Sequence, residues 1–188
     1  MNTTAPAPHD LETFWDWSLR VYDHEDLAAN LIALQDDFAL NVNIMLWCCW
    51  CSLNFPDLPE ILLRGAVDKT ATWTNAVTGP IRTARRHVNK GMADQGTLRE
   101  KLKSVELEAE RVEQTILEKL VVSYFEDKQS RSTGTPVEAA HRQARQTIAK
   151  YAALSGAQKQ DGFSVSLLEE VIDLIFKQHQ TSKKEQSL

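Results

Sequence analysis

The sequence has few glycines and prolines, no spaced set of cysteines and no long apolar run. With 7 Gly and 6 Pro in 188 residues, few positions interrupt a helix. Cys48, Cys49 and Cys51 lie too close together to build a disulfide framework, so we expect reduced thiols. The longest apolar run, Ile44 to Cys51, is far shorter than the ~20 residues that span a bilayer. Residues 1–10 also lack the pattern of a secretory signal, and we therefore expect a cytoplasmic protein.

The residues that are present favour one packed, helical protein. A hydrophobic share of 43% with 25% charged residues is typical of a globular domain. Ala, Leu, Glu, Gln and Lys are frequent and strand patterns are nearly absent, which predicts an all-α fold. We divide the chain into a leader (1–10), a helical domain (11–127), a polar linker (128–136), a two-helix extension (137–180) and a charged tail (181–188).

Two segments of the helical domain carry most of its aromatic residues. Residues 41–54 are apolar all round, which predicts a central helix enclosed by others. The opening helix places six residues near one predicted apolar face: Leu11, Phe14, Trp15, Ser18, Leu19 and Tyr22. Because Trp17 falls off that face, we expect it to be exposed and to serve as a partner anchor.

Five principal helices are predicted over residues 11–127. The fourth contains Pro80, so it either bends there or gives way to a new helix capped by Thr78. The fifth, residues 97–127, is the most regular. It aligns Leu98, Leu102, Val105, Val112, Ile116, Leu120 and Tyr124, with Glu100, Glu106, Glu110, Glu113, Lys103 and Arg111 on its other side.

Charge is strongly segregated along the chain. Residues 1–60 hold one base and ten acids, whereas residues 61–105 hold nine bases and three acids. Arg82, Arg85 and Arg86 lie on one side of a helix, with Lys90 one turn further on. These cations either pair with acids of residues 1–60 or with Glu106, Glu108 and Glu110, or they bind an anionic partner together with Trp73.

Other constellations are better explained by packing than by chemistry. Cys48 and Cys51 share a helix face that Cys49 does not, so the cluster offers at most two of the four ligands of a structural zinc site. We therefore interpret the cysteines as core residues and expect no metal and no cofactor. The tryptophans are interpreted as an aromatic core, although a ligand pocket lined by indoles is an alternative. Ser18 has no evident base, and no catalytic residue is assigned.

Several unusual segments occur together and in order. They are FWDWSLRVYD, LIALQDDFALNVNIMLWCCWC, a V-x-G-P-I-R-x-x-R-R motif and LKSVELEAER. In this respect the chain resembles a bacterial family of short proteins of unknown function, over about residues 11–120. The resemblance implies a small, all-helical, cytoplasmic protein, and it implies no activity or substrate.

The expected function is therefore a non-enzymatic protein-interaction or adaptor module. Its binding surfaces would be the basic helix face and the amphipathic helices, with another protein or a second copy as partner. The alternative is a binder of, or enzyme acting on, a small anionic and partly apolar ligand held between the tryptophan-rich helices and the arginine helix. The acidic composition and the lack of aromatic residues among the arginines argue against nucleic acid.

Overall fold

A computed structural model describes residues 11–22, 25–88, 93–127 and 135–185. Across these ranges the regular structure is helical, without a strand, and the expected all-α fold is confirmed. The α-helices are α1 (Phe14–Tyr22), α2 (Glu25–Phe38), α3 (Val42–Asn54), α4 (Glu60–Trp73), α5 (Gly79–His87), α6 (Ala93–Asp127), α7 (Val137–Leu154) and α8 (Val165–Glu185). The predicted leader and residues 128–134 of the predicted linker lie outside the described residues.

Helix α3 is the centre of the fold, as its composition predicted. Every residue from Asn43 to Leu53 is buried. The side chain of Asn41 caps the helix, since its Oδ1 accepts from the backbone N–H groups of Asn43 at 2.8 Å and Ile44 at 3.2 Å. Helices α1, α2, α6, α7 and α8 pack around α3 and enclose its aromatic and cysteine side chains.

The two C-terminal helices fold back onto the first half of the chain. Helix α7 packs along α3, and α8 packs on α1, α2 and α7. Tyr151 and Ile175 belong to the same hydrophobic core as Trp47. Helix α8 continues to Glu185, so its last turn lies in the segment predicted as a charged tail.

Helices α4 and α5 form one continuous rod through a π-helical turn at Thr74–Thr78. Thr78 has helical backbone angles and its side chain caps nothing, so the alternative of a new, Thr78-capped helix is wrong. The backbone N–H of Gly79 donates to the carbonyl of Thr74, which closes the wide turn immediately before Pro80. A Cβ at Gly79 would lie 2.8 Å from that carbonyl oxygen, so only glycine fits here without a shift.

The buried face of α1 differs from the predicted one. Phe14, Trp17, Ser18 and Val21 are buried, at positions i, i+3, i+4 and i+7. Leu19 is exposed instead. Apolar residues occur on nearly every side of this helix, so the pattern alone did not determine which side faces α3.

Candidate interaction surface

Trp17 is a core residue, and the expectation that it is an exposed anchor is wrong. Its side chain is 1% exposed. The indole N–H donates to Nδ1 of His179 on α8 at 3.1 Å, and its ring packs near that of Phe14. A side chain enclosed in this way is not available to a partner.

The cysteines are also core residues, as interpreted from the sequence. Cys48, Cys49 and Cys51 are free thiols and all are buried. Burial raises the pKa of each thiol, which keeps it protonated at neutral pH. Among the described residues, no three His, Cys, Asp or Glu side chains are placed to hold a metal ion.

The arginines of α5 pair with glutamates of α6. Arg82 donates to Glu106 at 2.9 Å and to Glu110 at 2.8 Å, and Arg85 forms an ion pair with Glu106. We call these four residues the Arg–Glu cluster. The interpretation that the basic segment pairs within the chain is thus confirmed for Arg82 and Arg85, whereas a binding role for them stays a prediction.

The C-terminal end of α5 has two further contacts. Arg86 forms an ion pair with Asp36 of α2 at 2.7 Å, and about half of the arginine side chain remains exposed. Arg99 of α6 donates to the carbonyl of Val88 at 3.1 Å, and so satisfies a backbone group at the C-terminal end of α5. Lys90, predicted to extend the basic face, lies outside the described residues.

Burial and pairing act in opposite directions on the glutamates of the Arg–Glu cluster. Burial disfavours the charge on Glu106, but the hydrogen bonds from Arg85 and Arg82 outweigh it and lower the pKa of Glu106. For Glu110 burial is the larger effect, and its pKa is raised despite the contact with Arg82. The pKa of Arg82 is raised although burial opposes it, because Glu106 and Glu110 accept its hydrogen bonds. Contact with both carboxylates thus keeps Arg82 charged at neutral pH.

A second polar layer surrounds Glu113, which is also buried against the core. Asn41 donates through Nδ2 to Glu113 at 2.6 Å, and the hydroxyl of Thr74 lies 3.4 Å from the same carboxylate. The backbone N–H of Asn41 donates to the hydroxyl of Tyr151 at 2.7 Å. Burial raises the pKa of Glu113, and the hydrogen bonds from Asn41 and Thr74 offset only part of that effect. The layer ties α3, α6, α7 and the π-helical turn together.

Ser18 belongs to a neighbouring chain of hydrogen bonds that contains no base. Its hydroxyl lies 3.0 Å from Oε1 of Gln114, and Nε2 of Gln114 donates to Asn43 at 2.9 Å. An amide cannot remove a proton from a serine at neutral pH. This arrangement therefore positions α1 on α6 and α3, and it activates no nucleophile.

The orientation of α6 differs from the one predicted. Glu106 and Glu113, predicted on the side opposite the apolar stripe, are buried, because arginines of α5 and Asn41 supply their partners. Three residues assigned to the apolar stripe are instead about half exposed: Leu98 by 50%, Val105 by 47% and Val112 by 43%. We call these three residues the α6 row.

The α6 row is a straight apolar line on the surface. Its members are seven residues apart, close to two helical turns, so they lie on one side of α6 and span about 21 Å. Trp73 of α4 lies beside it, since the indole N–H donates to the carbonyl of Ala109, between Val105 and Val112 in sequence, at 2.9 Å. Trp73 is itself partly exposed.

The α6 row was present in the sequence as part of the predicted stripe, but the sequence did not show that it faces solvent. Leu107 of the same helix is exposed to the same extent as Val105, 47%, and lies on the opposite side of α6.

No described helix combines the length and the low charge that a membrane span needs. The α6 row is an exposed apolar strip along the longest described helix.

Comparisons with known proteins give a family and no activity. A family model described as protein of unknown function (DUF2390) matches residues 13–117, which is more than half of the chain. The matched range agrees with the resemblance inferred over about residues 11–120. No curated protein and no solved structure matches the chain. The α6 row lies inside the matched range, and the chain belongs to this family of proteins of unknown function.

Proposed function

We propose that this chain is a non-enzymatic, cytoplasmic protein-interaction module that binds a helix of its partner along the α6 row. The supporting observation is the exposure of Leu98, Val105 and Val112 at heptad spacing. Apolar side chains repeated every two turns match the side chains of a second helix packed alongside. The three free cysteines accord with a reducing compartment.

The surroundings of the α6 row suit such a role. Trp73 adds a partly exposed aromatic ring at its edge, and tryptophan is enriched among residues that dominate binding energy at protein interfaces. On the core side of α6, the Arg–Glu cluster fixes α5 against the helix. The α6 row is therefore carried by a rigid, well-anchored element, which limits the entropy lost when a partner binds.

In this proposal the arginines of α5 have two different roles. Arg82 and Arg85 hold α5 in place, while the exposed part of Arg86 and the ring of Trp73 remain available to a partner. The alternative function, an anionic ligand between the tryptophan-rich helices and the arginines, requires the ligand to displace Glu106 from two arginines. The existing ion pairs therefore favour the protein-interaction role.

Site-specific photo-crosslinking in the host tests the proposal. A photoreactive phenylalanine derivative replaces Val105 in one variant and Leu107 in a control variant, because both side chains are 47% exposed on opposite sides of α6. Irradiation of intact cells followed by mass spectrometry identifies the polypeptides attached to each position.

We expect a defined crosslinked polypeptide from position 105 and a much weaker product from position 107. The product at position 105 should disappear when Leu98 and Val112 are both replaced by Glu. An equal pattern at both positions, or no product from position 105, would contradict the α6 row as the binding surface. Retained binding of a small anion after Arg82→Ala and Arg85→Ala would count against the alternative ligand site.

A further inference from the structure

We infer that the partner helix is α6 of a second copy of this chain, packed antiparallel about a two-fold axis near Val105. This inference rests on the proposed function and names its partner. Val105 is the middle member of the α6 row, and Leu98 and Val112 lie seven residues to either side of it. An antiparallel pair therefore places Leu98 of each copy against Val112 of the other, and Val105 against its own equivalent.

Two exposed charges on the same side of α6 complete the match. Lys101 precedes Val105 by one turn and Glu108 follows it by nearly one turn. Within the described part of the chain, neither side chain takes part in an ion pair. In the antiparallel pair, Lys101 of each copy lies next to Glu108 of the other, so one interface contains two identical ion pairs.

The same two charges oppose the parallel arrangement. With both helices running in one direction, Lys101 would lie beside Lys101 and Glu108 beside Glu108. Like charges at that spacing repel, whereas the antiparallel pair neutralises all four. The charge pattern thus selects a symmetric dimer and a single register.

The interface is small, and this sets the expected strength. Each copy contributes three partly exposed aliphatic side chains and the edge of Trp73. Interfaces of this size belong to weak, reversible association. We therefore expect the monomer and the dimer to exchange, with a dissociation constant in the micromolar range.

Sedimentation velocity of the purified full chain from about 5 to about 500 μM tests the inference. Five proteins are compared: wild type, Lys101→Glu, Glu108→Lys, the double variant with both changes, and Leu107→Glu as the control on the opposite side of α6. All three substituted positions are exposed, so the circular dichroism spectra of the four variants should match that of wild type.

We expect wild type and Leu107→Glu to dimerise equally. Each single charge reversal creates two like-charged pairs and should raise the dissociation constant about tenfold. The double variant restores opposite charges across the axis and should return to the wild-type value. A wild type that stays monomeric, a dimer unaffected by the single reversals, or a double variant weaker than either single one would overturn the inference.

Failure of the self-pairing is distinguishable from failure of the proposed function. If wild type is monomeric but position 105 crosslinks to another polypeptide in cells, the α6 row still binds protein and only the identity of the partner is wrong. If position 105 crosslinks to nothing, including a second copy, both statements are wrong.

Discussion

The indole N–H of Trp17 donates a hydrogen bond to Nδ1 of His179 over 3.1 Å, joining α1 to α8 across the core. Both side chains are buried. The bond requires an imidazole whose Nδ1 carries no proton, so it also selects one tautomer of the ring. The first and last helices are thereby connected through a polar contact within an apolar environment.

This contact predicts a stability difference between two tryptophans of α1. Trp17→Phe removes the donor, leaves Nδ1 of His179 without it and opens space in the core, which should cost about 2–4 kcal/mol in free energy of unfolding. Trp15→Phe is the matched control. Trp15 is partly exposed and lies under the guanidinium of Arg111, so its replacement should cost less than about 1 kcal/mol. Urea denaturation of both variants measures the difference, and equal losses would contradict the assigned role of Trp17.

The Arg–Glu cluster predicts a pH-dependent loss of stability. Glu106→Gln leaves Arg82 and Arg85 without their shared carboxylate and should cost about 2 kcal/mol at pH 7. The pKa of Glu106 is lowered from 4.5 in the folded protein, so its stabilisation is present above that value and is lost as the pH falls through the folded pKa.

The gap between wild type and Glu106→Gln should therefore shrink at about pH 3. Guanidinium denaturation at the two pH values measures it. Glu100→Gln, an exposed substitution on the same helix, should change stability by no more than about 0.5 kcal/mol at either pH. A gap that grows as the pH falls would show that Glu106 does not act through its charge.

Glu113 predicts the opposite dependence on pH. Its pKa is raised above 4.5 in the folded protein, so the folded state binds more protons than the unfolded state and stability falls as the pH rises through that window. Glu113→Gln keeps an oxygen that accepts from Asn41 and removes the charge. As the pH rises from about 4.5 to 7, wild type should lose stability relative to Glu113→Gln. At pH 7 the variant should therefore be at least as stable as wild type.

Urea denaturation of wild type and Glu113→Gln across this pH range measures the difference in their free energies of unfolding. Glu113→Ala serves as the second variant, because it removes the acceptor as well as the charge and leaves Nδ2 of Asn41 with only its longer, 3.4 Å hydrogen bond to the hydroxyl of Thr74. We expect a loss of about 1–3 kcal/mol for this variant. A Glu113→Gln variant that loses stability relative to wild type as the pH rises would be inconsistent with a buried, desolvated carboxylate at Glu113.

Two glycines of the α4–α5 rod should respond in opposite directions to replacement by alanine. Gly79→Ala places a Cβ 2.8 Å from the carbonyl oxygen of Thr74 and should cost about 1–3 kcal/mol. At Gly65 the Cβ would lie 3.8 Å from a methyl of Leu120, an ordinary contact, so Gly65→Ala should gain about 0.5–1 kcal/mol from the higher helix propensity of alanine. Thermal denaturation followed by circular dichroism measures both changes, and a stabilising Gly79→Ala would contradict the close approach in the π-helical turn.

The interior of the fold was largely predictable from composition and periodicity. Residues 41–54 read as a fully enclosed helix because no side of the segment is polar, and α3 is buried on every side. The same reasoning correctly interpreted the cysteines as core residues. In such segments the pattern determines burial regardless of which neighbours are present.

The side of α6 that faces solvent was less predictable from the sequence, because its buried acids have partners that are distant along the chain. A glutamate is ordinarily exposed, but Glu106 and Glu113 are buried because Arg82, Arg85 and Asn41 meet them across the fold. Once these acids turn inward, the apolar residues of the α6 row turn outward. The sequence indicated the pairing of the arginines with Glu106 and Glu110 as one alternative, but helical periodicity alone does not determine the rotation of α6, which depends on these long-range contacts and on the one from Asn41.

Native mass spectrometry of the chain isolated gently from its own host tests the protein-binding role of the α6 row most directly. Wild type should carry a second polypeptide, either a further copy or another protein, and Leu107→Glu should carry the same one. Val105→Glu, which places a charge in the middle of the α6 row, should appear as a bare monomer. A wild type that appears only as a monomer with a small-molecule adduct, or a Val105→Glu variant that retains the wild-type partner, would contradict this account.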